Sequence, residues 1–393
     1  MASSVTRHAQ ITERIVEDGG IVAKLLLCGV DTLDVGLYVK WLYGWNQLQR
    51  EFEVHKSAAE GKEAVPWRHF GPCEAVFYPS GKPPQYRYHF QIPMVGHFFV
   101  GKSRKAHKSP NVYASLSAEA IWNGGVENVG SILNEVIKQL DGQIDSSKVS
   151  RCDLCADFLI RGGLTDRFIR EHRVSHSDKQ SFHADGNRLE TYYLGSKRSP
   201  IQLRIYDKAK EIHEKSKKFW FKELWGVDEL EDIWRVEFQL RRTALKQFGI
   251  EGTETLKVKL PGLWRHLTTE WFSLRIRDDS NTSRQSFHPW WFQVQECAGE
   301  FGQWMPVSRV QRATRPQDIS QLASMVAGYL VSYAAATGQT NPSRAWKSLR
   351  REVFDTKVIV EFNERYAVRR AKLGWPTLEQ DPPQKADKDE VPF

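Results

Sequence analysis

Val149–Ile160 reads VSRCDLCADFLI, and its alternation decides the fold. Cys152, Leu154, Ala156, Phe158 and Ile160 are apolar, whereas Arg151, Asp153, Cys155 and Asp157 share the other face, because successive strand side chains point to opposite sides. The even face predicts a core; the odd face carries charge. Three further stretches keep the same parity. WRVEFQLRR, from Trp234, places Trp234, Val236, Phe238 and Leu240 opposite Arg235, Glu237, Gln239 and Arg241. IQLRIYDK, from Ile201, sets Ile201, Leu203 and Ile205 against Gln202, Arg204, Tyr206 and Lys208. RLETYYLG, from Arg188, groups Thr191, Tyr193 and Gly195 apart from Glu190, Tyr192 and Leu194. A merely solvated sheet face carries Lys, Glu, Thr and Ser; here short Asp side chains stand beside Tyr and Arg.

Outward from these strands, Ile21–Val39 is the first apolar run. Its second half predicts a strand with Val30, Leu33, Val35 and Leu37 inward and one slip of register. A helix is expected through LYGWNQLQREFEVHK, then strands in RYHFQIPMV, HFFVGK and NVYASLS, interrupted by the basic loop GKSRKAHKSP at Gly101–Pro110. GSILNEVIKQLDG, Gly130–Gly142, puts Ile132, Leu133, Val136, Ile137 and Leu140 on one helical stripe. AKEIHEKSKKFWFKELWG, from Ala209, predicts a charged helix between two strands. After about residue 245 the texture turns helical, in PQDISQLASMVAGYLVSYAAA, SRAWKSLRREVF and KVIVEFNERYAVRRAKLG.

The expected class is α+β: a central antiparallel or mixed sheet with flanking helices, followed by a mainly helical C-terminal region. The expected divisions are a flexible N-terminus over 1–20, a catalytic domain over 21–250, a helical region over 251–373 and a disordered acidic tail over 374–393. No internal repeat is visible in the sequence.

The chain has 393 residues, 40% of them hydrophobic, with 14 Trp and 20 Phe, so wholesale disorder is excluded. The net charge of +8 favours a polyanionic partner, since clustered Lys and Arg gain free energy by releasing counterions from phosphates. Five scattered cysteines, Cys28, Cys73, Cys152, Cys155 and Cys297, make no disulfide framework and suit a reducing cytoplasm. The first 20 residues lack a signal-peptide core, and no later run reaches about 18 apolar residues, so no membrane association is expected.

Carboxylates in a basic protein suggest a hard divalent cation, which takes oxygen ligands. Asp153 and Asp157 are four residues apart, about 13 Å at roughly 3.3 Å per strand residue, so both cannot bind one ion without a bulge. One of them, most simply Asp153, pairs with Glu237, and the sequence leaves the choice open. Cys152 and Cys155 form a C-x-x-C, but there is no second pair and a strand turns the two thiols to opposite faces. No His-x-His pair, H-E-x-x-H helix or G-x-x-x-x-G-K-S/T loop occurs.

In order along the chain, GVDTLDVGLYVKW, SRCDLCADF, ETYYLGSKRS, IQLRIYDKAKE and WRVEFQLRR resemble the Rep_trans family of replication initiation factors, over roughly residues 28–245. The resemblance implies a degenerate relative of the histidine-hydrophobe-histidine (HUH) nucleases. It implies sequence-specific nicking of one DNA strand through a covalent 5′-phosphotyrosine, opening rolling-circle replication or mobilisation of a mobile element.

The tyrosine of the family pattern T-x-Y-x-G-S falls on Tyr193, with Tyr192 as its ambiguous neighbour. The acidic positions fall on Asp153, Asp157 and Glu237, which would hold Mg or Mn, and the cationic ones on Arg204 and Lys208. Candidate DNA contacts are Lys102, Arg104, Lys105 and Lys108 in the basic loop, Lys197 and Arg198 after the tyrosine, and Lys217 and Lys218 in EKSKKFWFK. The implied partners are origin DNA, single-stranded or as an extruded hairpin, a host helicase and polymerase, and a second copy of the chain. Two other readings are a non-catalytic origin-binding regulator and a metal-dependent nuclease that uses water as nucleophile.

Overall fold

The structure is a computed structural model that describes residues 21–302 except 107, 108, 176 and 187, together with 307, 309, 319–354 and 366. The N-terminal 20 residues, the tail over 374–393, Lys108 and almost all of KVIVEFNERYAVRRAKLG lie outside the described residues.

The chain begins with a 19-residue strand, β1 (Ala23–Trp41), then α1 (Trp45–Ala58) and a meander of β2 (Val65–Phe70), β3 (Cys73–Tyr78), β4 (Tyr86–Ile92), β5 (Gly96–Gly101) and β6 (Val112–Leu116). Two helices, α2 (Ala118–Gly124) and α3 (Val129–Gln139), lead to a second 19-residue strand, β7 (Gly142–Ile160). There follow α4 (Asp166–His172), the short β8 (Arg173–Ser175) and another meander: β9 (Gln180–Asp185), β10 (Arg188–Leu194), β11 (Ile201–Asp207) and β12 (Ile233–Arg241). Between β11 and β12 sit α5 (Lys208–Glu211) and α6 (Phe221–Trp225). The series continues with α7 (Arg242–Gln247), α8 (Thr253–His266), β13 (Phe272–Leu274), α9 (Pro289–Glu296), α10 (Ile319–Ala336) and α11 (Pro342–Phe354).

Eleven strands form one sheet in the order β2-β3-β4-β5-β6-β1-β7-β12-β11-β10-β9, and every described pairing is antiparallel. A pseudo-dyad runs through its middle. β1 and β7 pair along their whole length, from Ala23 opposite Ile160 to Trp41 opposite Gly142, and each is flanked on its far side by the last strand of its own meander. The offset that carries Ala23 to Gly142 also carries Trp41 to Ile160 and Asp34 to Asp153. β6, β5, β4 and β3 thus correspond to β12, β11, β10 and β9.

Asp153, Asp157, Glu237, Arg204 and Tyr193 share the front face; the back is apolar and covered. α1 buries Trp45, Leu48 and Phe52 at three- and four-residue steps, and Phe52 meets the rings of Tyr88 at 5.0 Å and Phe77 at 5.7 Å. Behind the second meander, Trp264 of α8 stands edge-on to Phe238 at 5.6 Å and Trp290 of α9 edge-on to Phe158 at 6.1 Å. The buried indole of Trp264 donates to the Val294 carbonyl at 2.7 Å.

Two compact units are present: residues 1–246 with 250–307, and residues 247–249 with 308–393. α8, β13 and α9 belong to the first: Trp264 of α8 and Trp290 of α9 complete the core behind β7 and β12, and Phe272 of β13 packs on Trp291 of α9. Within the second unit α10 and α11 contact each other. AKEIHEKSKKFWFKELWG is not one helix: α5 runs into a π turn at Ile212–Ser216, and Lys217, at φ 56°, turns the chain out of it before α6. β2, β3 and β9 were not anticipated; their apolar alternation is broken by charged and turn residues.

Candidate active site

Four antiparallel strands set the site's side chains in rows, because directly opposed residues project to one face. One row runs Cys155–Glu237–Arg204–Tyr193 across β7, β12, β11 and β10. The next runs Asp157–Arg235–Tyr206–Thr191. Parity alone brought Tyr193, Arg204 and Glu237 onto one face; pairing makes Tyr193 and Arg204 immediate neighbours.

The two candidate tyrosines part company here. Tyr192 lies on the back face, wholly buried, and its hydroxyl donates to Gln180 Oε1 at 2.9 Å. Burial raises its pKa. Tyr193 is half-buried on the front, its ring edge-on to His183 at 6.0 Å. It lines a cleft of about 220 Å³ together with Asp31, Arg204, Tyr206, Lys208 and Lys218. Gly195, at φ 85°, turns the chain into the exposed segment carrying Lys197 and Arg198.

The carboxylates form an ion-pair lattice beneath that cleft. Glu237, fully buried, accepts from Arg204 Nη2 on one oxygen and from the Tyr206 hydroxyl at 2.9 Å on the other. Burial would raise its pKa, but the Arg204 guanidinium outweighs this and holds it below the usual carboxylate range. Asp157 takes a two-pronged grip from Arg235, Nε at 2.6 Å and Nη2 at 2.7 Å, and a third bond from the Trp225 indole at 2.9 Å. Arg235 also reaches across to Asp31 Oδ1 at 2.5 Å. Asp153 is gripped by Arg151 on its own strand, and burial, reinforced by Glu237, pushes its carboxyl up to about 7.

As a metal-ligand set, Asp153, Asp157 and Glu237 do not fit. Both oxygens of each accept charge-assisted hydrogen bonds from arginine, tyrosine or tryptophan. Among the described residues no group of three or more His, Cys, Asp or Glu is placed to hold a metal ion. Spacing showed the acids on one face, but not that each is engaged by an arginine.

Lys208 is buried, donates to Glu211 Oε2 at 2.6 Å, and has its pKa lowered by desolvation and by Arg235. The sequence reading missed Asp31. It sits where the β1–β7 register shifts between Val30 and Thr32, which aims it at Arg235. Burial acts to raise its pKa, and Arg235, Lys208 and Lys218 overcome that and hold it well below the carboxylate range. The slip of register noted in GVDTLDVG was the available signal.

Among the DNA-contact candidates, Lys218 lines the cleft and Lys217 is exposed next to it. Arg104 and Lys105 border a separate cleft of about 590 Å³ with Tyr38 and Lys40, on the other half of the sheet, and Lys102 is exposed in the same loop.

No family model matches the chain, and no curated protein matches it. Among solved structures, the rolling circle replication initiator protein from Geobacillus stearothermophilus is similar at 15% identity and a TM-score of 0.39, over 73% of this chain and 100% of that one.

Proposed function

We propose that this chain nicks and rejoins single-stranded DNA, with Tyr193 as nucleophile. The observation that carries the reading is the row Tyr193–Arg204–Glu237, in which a buried carboxylate fixes a guanidinium beside an accessible phenol, in a cleft whose lining mixes Lys208 and Lys218 with carboxylates such as Asp31 and Glu190. In the reaction the phenolic oxygen bonds to phosphorus as the bond from phosphorus to the 3′ oxygen breaks. The phenolic proton leaves to solvent, and the departing oxygen takes one up as a 3′-hydroxyl. Arg204, with Lys208 and Lys218 on the cleft wall, meets the negative charge on the phosphoryl oxygens. Glu237 keeps the guanidinium aimed, a role that Tyr206 shares through its bond to the same carboxylate. The phosphotyrosine preserves the energy of the broken bond, so attack by a 3′-hydroxyl reseals the strand.

A protein of this kind acts at an origin, for replication or mobilisation, and a host helicase and polymerase would extend the nick. The order of the five family-like segments supports that setting. The test is incubation with labelled single-stranded oligonucleotides, with Mg or Mn and with chelator, followed by denaturing electrophoresis. We expect a covalent adduct that is lost in Tyr193→Phe and kept in Tyr192→Phe. An adduct undiminished in Tyr193→Phe would defeat the assignment.

A further inference from the structure

The pseudo-dyad gives the nucleophile's row a counterpart in the first meander. Cys155, Glu237, Arg204 and Tyr193 correspond to Gly36, Tyr113, Phe99 and His89, and Ser181, beyond Tyr193, corresponds to Tyr78. This row lies on the same front face and is half-exposed, yet it holds no ion-pair lattice. It is a ladder of rings: Tyr78 stacks on His89 at 4.2 Å and 12°, His89 on Phe99 at 4.2 Å and 14°, and Tyr113 closes the end at 6.0 Å.

Rings stacked face to face across neighbouring strands turn their edges, not their faces, outward. Aromatic edges are the positive rim of the ring quadrupole. Lys82 adds a full charge beside the ladder, its ammonium lying over the Tyr113 ring, 3.9 Å from the ring centre, and 5.5 Å from that of Phe99. At the Tyr113 end, Asp34 is buried and accepts from the Tyr113 hydroxyl and Ser115 Oγ, each at 2.6 Å, while Glu63 lies close enough to Tyr78 to act on it at the other end. Opposite Gly36 lies the exposed Lys148, which donates to the Tyr38 hydroxyl at 2.8 Å, and further along β1 is the cleft of Lys40, Arg104, Lys105 and Asp145.

We propose that the first meander is a non-cutting copy of the nicking half, and that its ring ladder with Lys82 holds single-stranded DNA by phosphate oxygens and base edges. The choice of DNA rests on the function proposed above. The continuous front face and the positive rim carry the rest. The counterpart of Tyr193 is an imidazole wedged in a stack, and that of Arg204 is a phenyl ring, so the copy has the platform without the chemistry.

The test measures binding separately from cutting. Fluorescence anisotropy of a labelled single-stranded oligonucleotide is titrated with Tyr193→Phe protein, alone and carrying Lys82→Gln or Phe99→Leu. We expect affinity to fall about three- to tenfold, with the slope of log K against log salt shallower by about 0.7 for Lys82→Gln, one phosphate contact on a single strand. Affinity within twofold of the parent and an unchanged slope overturn the proposal. Lys82 is exposed, so Lys82→Gln carries the test should Phe99→Leu fail to fold. Absence of any adduct with the unmutated chain would instead strike the nicking reading, and leaves this binding comparison standing.

Discussion

Arg235 is wholly buried between two aspartates, which makes it the residue on which the site's electrostatics turn. Removing one partner of such a lattice leaves an uncompensated charge out of water, at roughly 3–5 kcal/mol. Arg235→Gln is therefore expected to lose stability on that scale in urea unfolding, while Tyr193→Phe changes it by no more than about 0.5 kcal/mol. A loss under about 1 kcal/mol for Arg235→Gln would contradict the lattice. The two variants thus separate a residue that builds the site from one proposed to react in it. Much of this was legible in sequence at this scale: parity put Glu237, Arg204 and Tyr193 on one face. Parity says nothing of reach, so the arginine claimed by each carboxylate, and the aim of Asp31 from its bulge, were not. That Tyr192 is buried and Tyr193 lines the cleft was likewise not legible from parity, which only set the two on opposite faces.

Among the elements, β4 and β5 carry a titratable feature of their own. His89 Nε2 and His97 Nδ1 lie 2.9 Å apart, and desolvation first, then the neighbouring His97, lowers the pKa of His89 to about 4. A folded-state pKa below the unfolded value of about 6.5 means that the native state favours the neutral ring. That stability is fully present above pH 6.5 and is lost as pH falls toward 4. The melting temperature should accordingly drop between pH 6.5 and 4.5, and by less in His89→Gln; an equal drop in both proteins would show that the ladder does not titrate in this way. The strands of the second meander were legible because a buried face against a charged one gives clean alternation. The helix expected after β11 was not, since a single residue of positive φ ends it and charge pattern does not report φ.

For the whole molecule, the α+β class was readable, whereas the duplication was not. Corresponding positions hold different chemistry, Tyr193 against His89 and Arg204 against Phe99, so no repeat survives in the letters, and only the strand order and the paired 19-residue strands reveal it. Helical texture after residue 250 says how those segments fold, not what they cover, so the packing of α8 and α9 behind β7 and β12 was not legible in it.

The long ladder between β1 and β7, paired from end to end through four register shifts, is the seam joining the two meanders. From His89 to Tyr193 there are seven strand steps across the sheet and seven residues along β7, which at about 4.8 Å and 3.3 Å put these two residues on the order of 40 Å apart along the sheet surface. The molecule is in that sense a ruler. Under the two proposals above, a strand gripped at the ring ladder would meet the phenol at a set distance, about twelve nucleotides at the 3.4 Å rise of stacked DNA, and the position of the cut would be counted from the grip rather than read only at the cleft.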